Sequence, residues 1–222
     1  MPDVRVKICG LMRVEDARHA AQAGADYLGA ILSEGFGRSV APEIAREFAL
    51  PDGPPLVAVM VDEPTGEAVA KARQVRASVI QLHGDESPAT LDDLRRAGSW
   101  MLWKVVRPRT PDELARAADR YAEHADALMV DGWHRDLPGG SGTRVPVELV
   151  EGVRAGLPLT LAFVFSGGLT PDTVADAVAR LAPDVVDVAS GVEAERGRKD
   201  PAKVEAFIRA ARGAAPAVRG QP

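Results

Sequence analysis

Cys9 is the only cysteine among 222 residues, and it ends a short β-branched run, Arg5–Ile8, near the start of the chain. Alternate residues of a strand face opposite ways, so Lys7 and Cys9 share one face, Val6 and Ile8 the other. Val6 and Ile8 suit packing beneath helices, which turns Lys7 and Cys9 towards the interior. A cysteine so placed is either a small buried hydrophobe or, where a cation or helix N-terminus favours its thiolate, a base or nucleophile. Asp131 directly follows the apolar run Ala127–Val130, as a pocket carboxylate or a solvated loop residue. Ser166–Gly167–Gly168 and Ala189–Ser190–Gly191 each end an apolar run. Glycines let a backbone approach an anion, and a helix N-terminus beyond them favours negative charge; otherwise such pairs are tight turns. Arg38 is a pocket cation or a surface arginine, and His83 lines a pocket or serves as a satisfied structural histidine.

These residues are set by a regular alternation. Eight short runs read as strands: Arg5–Ile8, Tyr27–Leu32, Leu56–Val61, Val79–Gln81, Trp100–Val105, Ala127–Val130, Leu159–Phe165 and Val185–Val188. Ala- and Arg-rich stretches of helical period separate them. Ser87–Pro88, Thr110–Pro111, Thr170–Pro171 and Asp200–Pro201 pair a capping oxygen with a proline that lacks an N–H to satisfy, and Glu113 completes a capping box with Thr110. Eight strand–helix units either close into a barrel or stay open as a doubly wound sheet. An open dinucleotide-binding sheet carries a Gly-x-Gly-x-x-Gly turn after its first strand. Here the paired glycines fall after the seventh and eighth runs, where the phosphate site of a barrel lies. The expected fold is therefore α/β, a single TIM-type (β/α)8 barrel over residues 1–213, with a frayed tail at 214–222. Closure would set the eighth strand beside the first. Lys7, costly inside unless paired, would then meet Asp187.

Composition narrows the function. Hydrophobic residues make up 46% and charged residues 27%, as in soluble globular proteins. A net charge of −5 with interspersed signs leaves no basic stripe, so nucleic acid is not an expected partner. The opening MPDVRVKICG lacks the apolar core of a signal peptide, and no apolar run approaches the roughly 18 residues of a membrane span. A lone thiol excludes an internal disulfide and fits a reducing compartment, so cytoplasmic location is expected. His83, Asp85 and Glu86 hint at a metal site, but His19, His124 and His134 are scattered without ligand spacing, and no metal is expected. His134–Arg135–Asp136 imitates the kinase triplet without any other kinase signature.

An ordered set of motifs spans nearly the whole chain: VKICGL at 6–11, QLHG at 81–84, GGSG at 139–142, SGGL at 166–169, VDVASGVE at 186–193 and KDP at 199–201. The set resembles the phosphoribosylanthranilate isomerase family of tryptophan biosynthesis. The resemblance implies an Amadori rearrangement of a phosphorylated small-molecule substrate without any cofactor. Cys9 would be the general base and Asp131 the general acid, its carboxyl kept protonated by a raised pKa. Arg38 would hold the anthranilate carboxylate, while His83, Gly167, Gly168, Asp187, Ser190 and Gly191 line the substrate site. The loop Leu32–Arg38, together with Ser39, Met12, Thr143 and Arg144, departs from the family's usual residues and bears on the aromatic end of the pocket. Alternatives are a bifunctional isomerase also serving histidine biosynthesis, a Schiff-base aldolase using an inward Lys7 or Lys104, and a non-catalytic barrel. Short loops without an apolar surface stripe favour a monomer.

Overall fold

The structure is a computed structural model and describes residues 4–132 and 145–214. The GGSG run at 139–142, His134, Thr143, Arg144 and the tail beyond 214 lie outside the described residues. Eight parallel strands close in sequence order: β1 (Arg5–Ile8), β2 (Tyr27–Ile31), β3 (Leu56–Met60), β4 (Val79–Leu82), β5 (Met101–Val106), β6 (Ala127–Val130), β7 (Ala162–Phe165) and β8 (Val185–Val188). The seam is the pairing of β1 with β8, where Lys7 stands opposite Asp187. Around the strands lie α1 (Val14–Gln22), α2 (Pro42–Ala45), α3 (Thr65–Val75), α4 (Pro88–Ala97), α5 (Pro111–Tyr121), α6 (Val147–Val150), α7 (Val153–Gly156), α8 (Val174–Leu181) and α9 (Pro201–Gly213). A two-stranded hairpin, β9 (Glu193–Glu195) and β10 (Arg198–Lys199), stands between β8 and α9.

Strand alternation divides the buried side chains into two layers. Val6, Ile8, Leu28, Ala58, Ile80, Leu128 and Phe163 pack outward beneath the helices. Cys9, Val57, Val59, Val79, Val105, Met129 and Val164 fill the barrel interior. Tyr27 and Trp103 complete the inner layer edge-to-face, with centroids 5.0 Å apart, and Arg5 Nη1 donates to the Tyr27 hydroxyl at 2.7 Å. Apolar burial on both faces of each strand is what a parallel barrel demands, and it is the main stabilising term.

Some local expectations need correction. β7 begins at Ala162, not Leu159: Leu161 N–H bonds back to Pro158 in a turn, and Leu159 is 87% exposed. Ser87, Thr110 and Asp200 cap their helices through side-chain oxygens. Thr170 does not, because α8 starts only at Val174, after a turn in which Thr170 N–H is bound by the Thr173 hydroxyl. The Glu113 carboxylate receives Arg109 N–H at 2.7 Å, not the cap residue's own N–H. Lys104 is not inward, since its neighbours Trp103 and Val105 occupy the interior positions of β5.

Candidate active site

The site begins at the seam. Lys7 Nζ donates to Asp187 Oδ1 at 2.7 Å, with the lysine side chain wholly buried. Burial works against the ammonium, but the charges of Asp187 and Cys9 and the hydrogen bonds to them outweigh it and hold Lys7 above its ordinary 10.5. Lys7 is thus a fixed cation. Cys9 lies one step along the same face and is also buried. Burial pushes its thiol above the ordinary 9.0; Lys7 pulls the other way, yet Asp187 absorbs much of that cation's effect. Gly29 of β2 makes this crowding possible: a Cβ there would sit 2.9 Å from Cys9 Sγ and 3.1 Å from Lys7 Cε.

Across the barrel, β4 and β6 supply a hydrogen-bonded chain. The Gln81 side-chain amide nitrogen lies 2.9 Å from His83 Nδ1, and His83 Nε2 faces Asp131 Oδ2 at 3.1 Å. Asp131 Oδ1 accepts Gly132 N–H at 2.8 Å. Burial pushes the Asp131 carboxyl up, but the His83 hydrogen bond and charge, the Gly132 amide and the Ser166 hydroxyl together hold it below its ordinary 3.8. The expected raised pKa is therefore corrected: the His83 ring and the Gly132 amide meet the ionised form, and with Ser166 close by they outweigh desolvation.

Arg38 reaches the rim from the loop after β2. Its Nε and Nη2 donate to Glu193 Oε1 and Oε2 at 2.7 and 2.8 Å, so the edge best shaped for a carboxylate already holds one. Lys199 Nζ braces the same Glu193 at 3.1 Å and the Ala189 carbonyl at 2.9 Å. Gly10, at φ +66°, lets Arg38 pass: a Cβ there would come within 2.7 Å of its Cδ. Farther round the same rim Gly167 and Gly168 adopt φ of +95° and +69°, a conformation suited to glycine. Gly191 packs its backbone directly on the Leu169 carbonyl, where any side chain would collide, and so joins the two glycine turns.

All nine residues singled out as catalytic or substrate-binding, Cys9, Arg38, His83, Asp131, Gly167, Gly168, Asp187, Ser190 and Gly191, line one pocket at the C-terminal ends of the strands. Sequence reasoning gave no role to Gln81, Gly29, Glu193 and Lys199. Gln81, Glu193 and Lys199 were visible inside the QLHG, VDVASGVE and KDP motifs, and a mid-strand glycine was the signal for Gly29. Among the described residues no lysine lines the pocket. Lys7 is held charged by Asp187 and Lys104 faces outward, so the Schiff-base alternative loses both its nucleophiles.

Fold and site together define a (β/α)8-barrel protein with its pocket on the rim where such barrels carry out chemistry. Residues 6–210 match the family model described as N-(5'phosphoribosyl)anthranilate (PRA) isomerase. The N-(5'-phosphoribosyl)anthranilate isomerase of Thiobacillus denitrificans is 40% identical over 208 residues, covering 92% of this chain and 96% of that protein. A crystal structure of phosphoribosyl anthranilate isomerase in complex with reduced 1-(o-carboxyphenylamino)-1-deoxyribulose 5-phosphate superposes with a TM-score of 0.82 at 31% identity, covering 95% of this chain and 99% of that one. A structure of monomers generated from the dimeric isomerase of Thermotoga maritima gives 0.82 at 32% identity, with the same coverage. The chain belongs to the N-(5'-phosphoribosyl)anthranilate isomerase family.

Proposed function

We propose that the chain carries out its family's reaction, the isomerisation of N-(5-phosphoribosyl)anthranilate to 1-(2-carboxyphenylamino)-1-deoxyribulose 5-phosphate, an aldose–ketose isomerisation in tryptophan biosynthesis. The observation that carries the reading is the convergence of a thiol, a carboxylate and two glycine turns on a single rim pocket. Asp131 protonates the furanose ring oxygen, the C1′–O bond breaks, and the nitrogen lone pair forms an iminium. Cys9 as thiolate then removes the C2′ proton, and the electron pair moves towards C1′ to give an enolamine. Tautomerisation of the enolamine moves its hydroxyl proton to C1′ and leaves the C2′ ketone. The turns at Gly167–Gly168 and Ser190–Gly191 hold the phosphate, and Asp187 with Lys7 fixes the floor beneath Cys9. Holding the sugar between acid and base supplies orientation, and each proton transfer contributes on the order of 10²–10⁴-fold.

The proton inventory adds a constraint. The free site favours Cys9 as thiol and Asp131 as carboxylate, whereas the first step needs thiolate and carboxylic acid. The two forms hold the same number of protons, so the competent form is a tautomer of the resting one. Substrate charge assists the exchange: bound anions favour a neutral Asp131, and the iminium beside C2′ favours loss of its proton to Cys9. One passage through acid and base returns the enzyme to its resting protonation. Activity is accordingly expected to hold steady through neutrality, falling above the thiol's ordinary 9.0 and, on the acid side, below the carboxyl's ordinary 3.8. A pH–rate profile with its alkaline limb near neutrality contradicts this.

Loss of substrate fluorescence measures turnover. Cys9→Ser and Asp131→Asn are each expected to lower kcat by at least about 10²-fold, and near-normal turnover in either variant refutes its role. Among the described residues no helix is long and apolar enough to cross a membrane, and cytoplasmic location stays part of the proposal. So does a monomeric state: among the described residues the exposed large hydrophobics, Ile44, Met101 and Leu159, come from separate parts of the barrel. The Thermotoga maritima relative is dimeric, and sedimentation equilibrium decides the matter here.

A further inference from the structure

Gln81 is wholly buried on β4, in register between Val59 and Trp103, both apolar members of the inner layer. His83, two residues on, shares its face, and both line the pocket. The contacts of the His83 ring are complementary at its two ends. Asp131 Oδ2 lies 3.1 Å from Nε2, and an ionised carboxylate can only accept, which calls for a proton on Nε2. Gln81 turns its amide nitrogen, a donor without acceptor capacity, to Nδ1 at 2.9 Å. Its Oε1 is buried without a hydrogen-bond partner, so the amide's one acceptor is turned away from the ring. The surrounding charges favour the same arrangement. Arg107 donates to the His83 carbonyl and has no carboxylate partner among the described residues, so a positive ring would meet like charge. Lys104, at the Leu82 and Gly84 carbonyls, is already balanced by Glu86 at 2.8 Å.

We propose that Gln81 is a positioning residue that holds the His83 ring neutral, with its proton on Nε2, so that Asp131 can take up a proton when substrate binds. The inference rests on the reading of Asp131 as the general acid. Two influences on Asp131 come from His83: a hydrogen bond and, once the ring is protonated, its charge. An imidazolium 3.1 Å away would keep the carboxylate ionised and put the first step out of reach. A neutral ring keeps the hydrogen bond, which aims the carboxyl group, and withholds the charge. Gln81 enforces that form from the far side of the ring. An imidazolium needs an acceptor at Nδ1, and the amide nitrogen offers none. A carboxylate in place of the amide would supply one.

The test uses the full-length protein with its histidines labelled for nitrogen NMR. The His83 ring, identified by the signals lost in His83→Gln, is expected at neutrality to carry its proton on Nε2 alone. A doubly protonated ring, or one protonated only on Nδ1, overturns the proposal. Two variants then separate control of charge from packing. Gln81→Glu keeps the shape and a hydrogen bond to the ring, but as an acceptor it invites the imidazolium. Gln81→Met keeps the volume and removes the donor. Gln81→Met should lower kcat about three- to tenfold, the worth of one hydrogen bond. Gln81→Glu should lower it about 10²-fold, approaching loss of the acid itself, and should show both ring nitrogens protonated. KM should move by less than about threefold in either, because Gln81 acts through His83. A Gln81→Glu variant as active as Gln81→Met, or more so, assigns Gln81 to packing and overturns the proposal. Should Gln81→Glu fail to fold, the protonation of the native ring decides alone. If the native protein does not turn over substrate, it is the underlying substrate reading that fails, since the ring measurement needs no turnover.

Discussion

The pairs Lys7–Asp187 and Lys104–Glu86 are matched in chemistry and length, at 2.7 and 2.8 Å, and their lysine side chains are 0% and 3% exposed. They differ in the face of the strand from which each lysine starts. Lys7 points into the barrel, beneath Cys9, and ties β1 to β8 across the seam. Lys104 points outward from β5 and ties down the segment after β4: its Nζ reaches the Gly84 carbonyl at 2.7 Å and Glu86 Oε2 at 2.8 Å. Glu86 in turn collects the N–H groups of Asp62 and Gly84. One pair has a reactive group as its neighbour and the other has backbone. Strand parity, not residue type, separates a charge that shapes the site from one that fastens a loop.

The largest expected effect comes from breaking the seam. Removing one partner of a buried pair leaves the other charge unpaired, at a cost of about 3–5 kcal/mol. Lys7→Met and Asp187→Asn should each lose about that much stability in urea unfolding, and the double variant should lose clearly less than the sum. Additive losses would mean that the two side chains are not coupled. Both single variants should also depress kcat, because Cys9 loses the ordered ground beneath it.

Lys104→Met is expected to cost less, about 2–3 kcal/mol, since Glu86 keeps backbone donors when the ammonium is gone. Its kcat should stay within about threefold of native, because no atom of the pair lines the pocket. A kcat loss equal to that of Lys7→Met would dissolve the distinction between the two faces.

The same parity explains what could be read from the sequence. The strands β1, β6 and β8 match the expected ranges residue for residue, and β6 is most sharply marked, as an apolar run bounded by Asp126 and Asp131. Lys7 and Cys9 could be assigned inward because Val6 and Ile8 marked the outer face. Lys104 could not: its neighbours Trp103 and Val105 are apolar, as is Leu102, so β5 shows no alternation and apolar burial on both faces hides which one is which. The Asp131 ionisation state was equally illegible, since it depends on His83 and Ser166, which are far away in sequence. Arg38 was placed at the rim correctly, but its clamp lies 155 residues away on β9, and only folding brings the two together.

The smallest effect is the most discriminating, because the two pairs should titrate at opposite ends of the pH scale. Burial pushes Glu86 up, but Lys104 and the backbone donors hold it below its ordinary 4.5. Its contribution is therefore present above that value and lost as pH falls through the folded one. Lys7 is held above 10.5, so its contribution is complete below that value and lost as pH rises through the folded one. Lys104 has the reverse sign: burial depresses it, so the cost of keeping it charged is relieved as pH climbs towards 10.5. Lys104→Met should thus flatten the loss of stability from about pH 6 to about pH 3, by about 1 kcal/mol, and steepen the alkaline fall. Lys7→Met should leave the acid limb as it is and flatten the alkaline one. Cys9, held above 9.0, adds to that alkaline fall, so the comparison is best made in a Cys9→Ser background. If both lysine variants change the alkaline limb in the same direction, or Lys7→Met also flattens the acid limb, the pairs are not the independent units their geometry describes.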